Sequence, residues 1–246
     1  MIKTTANGTR YWLGVVSAKR PNNVNKILES VGSGTWLVPT EEVSLYKEQG
    51  ATVVDSGTFP NLVPTRNLAL DLAFAEGLPC VQTDDDFVRI KRAYGKKRTL
   101  EVTFDDAVEL MIGRLQRAGL YFGAVAPTTN SFFVGDMTSR TGFCIGSFCV
   151  TLPCDLRFDI NMTLKEDYDY TLQHIATFGG VVRSNDLLAE YKHYSNSGGA
   201  VEVRSTPNEQ RNIAYLKSKW GAAIRDNPRR PNEILLAPKK LAVGVQ

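Results

Sequence analysis

Three adjacent carboxylates, Asp84, Asp85 and Asp86, follow the short apolar run Leu78-Pro79-Cys80-Val81. At the end of a buried strand such charges repel one another and lose hydration. A fold tolerates that when a cation or a cationic side chain is near. Asp84 and Asp86, in D-x-D spacing, suit a hard divalent cation such as manganese or magnesium, which takes oxygen ligands and leaves positions open for phosphates. The chemistry implied is that of a phosphorylated substrate, with the metal neutralising charge on a diphosphate leaving group. The competing use of the triplet is structural, as turn and capping residues.

A second acidic cluster, Lys165-Glu166-Asp167-Tyr168-Asp169, opens a predicted helix. The positive end of the helix dipole favours carboxylates there. Alternatively Asp167 or Glu166 points into a site and takes a proton from an acceptor hydroxyl, while Asp169 points elsewhere. The chain has two histidines, His174 and His193. His174 falls within a helix and reads as structural. His193 ends a strand before Ser195-Asn196-Ser197-Gly198-Gly199 and is a third metal ligand or an exposed side chain without a role. Arg20 follows the first strand and Arg66 opens the helix before the triplet. Each reads either as a clamp on a diphosphate or base, or as a surface ion pair.

These residues need a frame. Strands are expected at Tyr11 to Ser17, Thr35 to Pro39, Ala51 to Val54 and Cys80 to Thr83. Helices are expected at Val24 to Val31, Glu41 to Gln49 and Leu62 to Glu76. Strands alternating with helices imply a mostly parallel sheet. Ligands of such sheets sit at the carboxyl ends of the strands, where Ser17 to Arg20, Ser56-Gly57 and the Asp triplet all fall. In the second half, helices are expected at Asp105 to Ala118, Thr163 to Phe178 and Pro207 to Trp220. Strand-like stretches run over Tyr121 to Ala126, Phe143 to Leu152, Val181-Val182 and Leu187 to Tyr194. From Asp226 the chain reads as a mobile or docked tail.

At 246 residues and 43% hydrophobic, the chain can bury one large core. No apolar run approaches a membrane span and the N-terminus has no apolar signal core, so a cytoplasmic protein without a membrane partner is expected. Cys80, Cys144, Cys149 and Cys154 form no C-x-x-C pair and read as reduced thiols. The net charge is +3, but residues 89–98 hold six cations and no anion. Such a run suits a polyanion such as nucleic acid, or is a solvated loop.

The order of these motifs resembles that of glycosyltransferases of the α/β, single-domain glycosyltransferase-A (Rossmann-like) fold. The matching parts are Asp84-Asp85-Asp86, Lys165-Glu166-Asp167, His193, Ser17-x-x-Arg20-Pro21 and Arg66-Asn67-x-Ala69, spanning roughly residues 11 to 200. The compact length and Lys-Glu-Asp-Tyr-Asp-Tyr-Thr-Leu-Gln are similar to the TET-associated glycosyltransferases, whose phage members are linked to glycosylation of 5-hydroxymethylpyrimidines in DNA. The resemblance implies one domain over about residues 1–225, with a nucleotide-sugar half (about 10–87), an acceptor half (about 88–200), and a basic tail over 226–246. It implies a UDP-sugar donor, Mn2+ or Mg2+, and double-stranded DNA carrying 5-hydroxymethylcytosine as acceptor. By position, Asp84, Asp86 and His193 would complete the metal shell, and Asp84 and Asp85 would serve the ribose-diphosphate side. Ser17, Arg20 and Arg66 would bind the nucleotide. Asp167, beside Glu166, would be the base of an inverting transfer. The rivals are a nucleotidyltransferase, whose usual Gly-rich loop after the first strand is absent, a glycosyltransferase acting on protein or glycan, and a catalytically dead nucleic-acid-binding module.

Overall fold

The computed structural model describes residues 1–192 and 204–241. Its centre is a sheet of nine strands among the described residues. In chain order these are β1 (Ile2–Thr4), β2 (Arg10–Val16), β3 (Thr35–Val38), β4 (Thr52–Asp55), β5 (Cys80–Asp84), β8 (Phe122–Val125), β9 (Thr138–Ser139), β10 (Phe148–Thr151) and β11 (Val182–Ser184). Across the sheet the order is β4-β3-β2-β5-β10-β8-β11-β9, with β1 pairing antiparallel to β2. Strands β4, β3, β2 and β5 are parallel, β10 runs against both β5 and β8, and β11 is again parallel to β8. The sheet is therefore mostly parallel, mixed α/β in class and compatible with a Rossmann-like arrangement.

The central strands are apolar almost without interruption, as burial on both faces requires. Tyr11, Leu13 and Val15 pack on one face with helices α1 (Val24–Val31), α2 (Val43–Glu48) and α4 (Phe104–Ala118). Trp12 packs on the other with α3 (Leu62–Ala75), α5 (Glu166–Phe178) and α6 (Thr206–Trp220). The result is three layers, helix on sheet on helix. Gly14 is needed where β2 meets β3, since a Cβ there would lie 2.7 Å from the Trp12 ring and 2.8 Å from a Leu37 methyl. Helix α4 is fixed at both ends: the Thr103 side chain accepts from the Asp106 N–H, and Gly119 closes it at φ 63°.

A smaller sheet of β6 (Phe87–Ala93), β7 (Thr99–Val102) and β12 (Leu187–Tyr191) continues directly from the Asp triplet, in the order β12-β6-β7. The basic run thus begins as a strand, and its first three cations are paired. Arg89 and Lys91 each reach Glu190 at 2.6 Å, and Arg92 reaches Asp186 at 3.1 Å. Asp186 is fully buried and also accepts both terminal nitrogens of Arg114, at 2.6 and 2.8 Å. Cross-strand partners were invisible without knowing that β12 lies beside β6.

The boundary expected at residue 225 falls inside β13 (Ile224–Asp226), which pairs with β14 (Ile234–Leu236). Ile234 is buried against the α3, α5 and α6 layer, so the segment up to residue 241 is docked. The other expected elements are present with shifted ends, the longest trimming being Phe143 to Leu152, of which Phe148–Thr151 is strand. Among the described residues, no helix is long and apolar enough to cross a membrane.

Candidate active site

The carboxyl ends of β2 and β5, the start of α3 and the start of α5 meet at one edge of the sheet. Strands β2 and β5 are in register, with Val16 opposite Asp84. Their ends therefore deliver Ser17 and the Asp triplet to the same place.

Asp85 turns inward. It accepts from the Ser17 hydroxyl and from Arg20 Nη1 at 2.9 Å, and is 3% exposed. Burial pushes its pKa up to about 6, against the pull of Arg20 and Ser17. The same group is tied to α2: the Tyr46 hydroxyl lies 2.6 Å from Ser17 Oγ and accepts from the Arg20 N–H at 3.0 Å. Tyr46 is wholly buried, and burial raises its pKa. Beside it, Lys19 adopts a left-handed backbone (φ 61°), and its N–H donates to Glu42 at 2.5 Å. Tyr46 and Glu42 carry no motif of their own in the sequence. Only the fold, which sets β3 and β4 beside β2 and lays α2 over them, brings them here.

Asp84 and Asp86 flank this group. The side chain of Asp84 is about one third exposed, and Asp86 Oδ2 lies 3.9 Å from Arg20 Nη1. The Asp86 carbonyl accepts from the N–H of Lys192 at 3.0 Å, which ends β12 against the triplet. His193 follows immediately but lies outside the described residues.

Arg66 links the triplet to the second acidic cluster. Its Nε donates to Glu166 at 2.8 Å, Nη1 to the Gly146 carbonyl at 3.0 Å and to Gln82 at 3.4 Å, and Nη2 to Asp84 at 3.4 Å. Burial alone would lower its pKa. The charges of Glu166 and Asp84 more than offset this and hold the guanidinium protonated. The expectation of an open clamp on substrate is corrected here. Arg66 is 4% exposed and its donors are committed inside the protein, so it organises the site rather than facing solvent. Glu166, 5% exposed, is likewise occupied as its partner.

Asp167 is left as the available carboxylate of the pair. It is half-buried; Oδ2 accepts from the Gly146 N–H at 3.2 Å and Oδ1 from its own helix at Tyr168. Burial and the adjacent charge of Glu166 push its pKa up to about 7. Gly146 contacts both halves of the site through its carbonyl and its N–H. A Cβ there would fall 3.0 Å from Arg66 Nη2 and 3.5 Å from Asp167 Cβ. Asp169 points elsewhere, into the core, where it accepts from Trp220 Nε1 at 2.7 Å and pairs with Lys219 at 2.9 Å. His174 is buried among Phe122, Tyr170 and Phe178, and burial lowers its pKa to about 3, which fits a structural residue.

Among the described residues no cluster of three or more His, Cys, Asp or Glu side chains stands ready for a metal. Asp84 and Asp86 supply two carboxylates of the hard-oxygen kind. Magnesium and manganese are commonly held by one or two carboxylates together with substrate phosphates. These two side chains are the ones that would hold such a cation.

No protein-family model and no curated protein matches the chain. Among solved structures, A197 from STIV is similar at 13% identity and a TM-score of 0.37, over 74% of this chain and 85% of that one. A likeness this loose carries no argument about fold or function.

Proposed function

We propose that this chain is a metal-dependent glycosyltransferase that moves a sugar from a nucleotide sugar, UDP-linked by preference, to the hydroxyl of 5-hydroxymethylcytosine in DNA, on a glycosyltransferase-A fold. The observation that carries the reading is the Arg66 bridge. One buried guanidinium joins the D-x-D carboxylate Asp84 to Glu166, the neighbour of Asp167, across 82 residues of sequence. Motifs that resemble a donor site and a catalytic base are thereby neighbours in space.

Asp84 and Asp86, with His193, would hold the divalent cation. When bound, it neutralises charge on the departing nucleoside diphosphate. Arg20 would meet the nucleotide, held in place by buried Asp85 and Ser17, with Tyr46 fixing its backbone. Asp167 takes the proton of the acceptor hydroxyl as its oxygen attacks the anomeric carbon and the bond to the diphosphate breaks. A carboxylate with a pKa near 7 is matched to that task. The transition state is oxocarbenium-like, and one base suffices for a single displacement. A base within a duplex must be flipped out to present its hydroxymethyl group, unless it is reached through the groove.

A protein or glycan acceptor is the second reading, favoured by the internal pairing of Arg89, Lys91 and Arg92, which lessens the cationic surface. A transfer assay with manganese separates the two, offering hydroxymethylated DNA, protein and free sugars to the same enzyme. Label on the DNA supports the first reading. Label on protein or sugar alone supports the second, and label on none removes both.

A further inference from the structure

The turn between β6 and β7 carries Tyr94, Lys96, Lys97 and Arg98, all exposed. A hydrogen bond of 2.9 Å from the Ser131 hydroxyl to the Lys96 carbonyl joins it to the loop after β8. That loop presents Phe132 and Phe133, 59% and 72% exposed, set edge to face with centroids 5.8 Å apart. Lys96 Nζ sits 5.4 Å from the Phe132 ring centre, and Tyr94, 48% exposed, has Arg92 Cζ at 5.2 Å and Arg98 Cζ at 5.7 Å from its ring centre. Lys96, Lys97 and Arg98 enter no ion pair among the described residues, unlike the cations of β6 itself. The exposed carboxylate of this loop is Asp136.

Three rings left in water beside three uncompensated cations form a surface that calls for a partner. Ring faces that accept flat bases, next to charges that accept phosphates, are the requirements of a nucleic acid strand with unpaired bases. A wholly apolar partner would leave the three cations desolvated and unpaired. The position also fits. Strand β6 leads from the Asp triplet to this turn, about 25 Å at the usual rise per residue. The loop leaves the carboxyl end of β8, on the same edge of the sheet as Asp84.

We infer that Tyr94, Phe132 and Phe133, with Lys96, Lys97 and Arg98, form a stacking platform that grips an unpaired stretch of the acceptor nucleic acid several nucleotides from the reacting base. This rests on the DNA-acceptor reading above but is read by a separate measurement. Fluorescence anisotropy of a labelled oligodeoxycytidine, single-stranded and as a duplex, is measured without any nucleotide sugar, so failed glycosyl transfer leaves the result intact. The expected result is salt-sensitive binding that favours the single strand. It should weaken about tenfold in the double variant Phe132→Ala/Phe133→Ala, and its salt dependence should be shallower in Lys96→Gln/Lys97→Gln. Circular dichroism verifies that both variants are folded. Binding by the double aromatic variant within twofold of wild type overturns the platform. So does a wild-type dimer, seen by sedimentation, that Phe133→Ala disperses, because the rings then belong to a second copy. Wild-type transfer to hydroxymethylated DNA that is unchanged in the double aromatic variant rejects the platform while sparing the proposed activity.

Discussion

Asp167 is the residue on which chemistry and stability pull in opposite directions. Its folded pKa, raised to about 7 by burial and by Glu166, lies above that of an unfolded aspartate. The folded state therefore binds its proton more tightly, and that contribution is full below about pH 4 and lost as pH rises through about 7. Asp167→Asn should be more stable than wild type above pH 7, by about 2 kcal/mol once solvent screening of a half-buried group is allowed for. Turnover should fall by about 10²- to 10⁴-fold. Urea unfolding at several pH values tests the first, and a difference that does not grow with pH refutes it. As the base, Asp167 must be ionised, so the wild-type rate should rise with pH through about 7. Arg66 behaves differently. Arg66→Ala strands buried Glu166 and should cost about 3–5 kcal/mol, seen as a lowered urea midpoint. Gly146→Ala is the gentler probe: its methyl would press on the guanidinium at 3.0 Å and should cut turnover more than it cuts stability. Equal loss in both would assign Gly146 a packing role only.

At the scale of elements, the acidic first turn of α5 divides between the site and the core. Glu166 and Asp167 face the site, while Asp169 faces the core and anchors the end of α6 through Trp220 and Lys219. The helix begins after Lys165, whose left-handed backbone (φ 62°) is secured by its side chain on Glu209 at 2.5 Å and the Asn232 carbonyl at 2.7 Å. Asp169→Ala should cost about 3 kcal/mol and expose the α6 region to limited proteolysis; an unchanged cleavage pattern would deny it that role. Helix periodicity and Gly punctuation made α3, α4 and α5 legible to within a few residues. The strand β6 was not legible, because Arg89-Ile90-Lys91-Arg92 looks like solvated charge until Glu190 and Asp186 stand opposite. The β13–β14 hairpin was hidden for a similar reason, since its short strands gain their apolar partners only from α3, α5 and α6.

At the scale of the molecule, the parallel run β4-β3-β2-β5 and the reversed β10 set every strand end that matters on one edge. The alternation of strand and helix made that edge readable in the first 87 residues, and with it Ser17, Arg20 and the triplet. The Tyr46 hydroxyl and the Gly146 backbone were not readable, because neither group has a sequence signature. They act through position alone. Arg66 was singled out, but its burial depended on the distant Glu166. The most direct test of the proposed activity is nucleoside-diphosphate release from UDP-sugars, with manganese or EDTA, on DNA with and without 5-hydroxymethylcytosine. Release that requires both manganese and the modified base, and that Asp86→Asn abolishes in a folded protein, is the predicted result. Release that is equal in EDTA, or undiminished in Asp86→Asn, would contradict it.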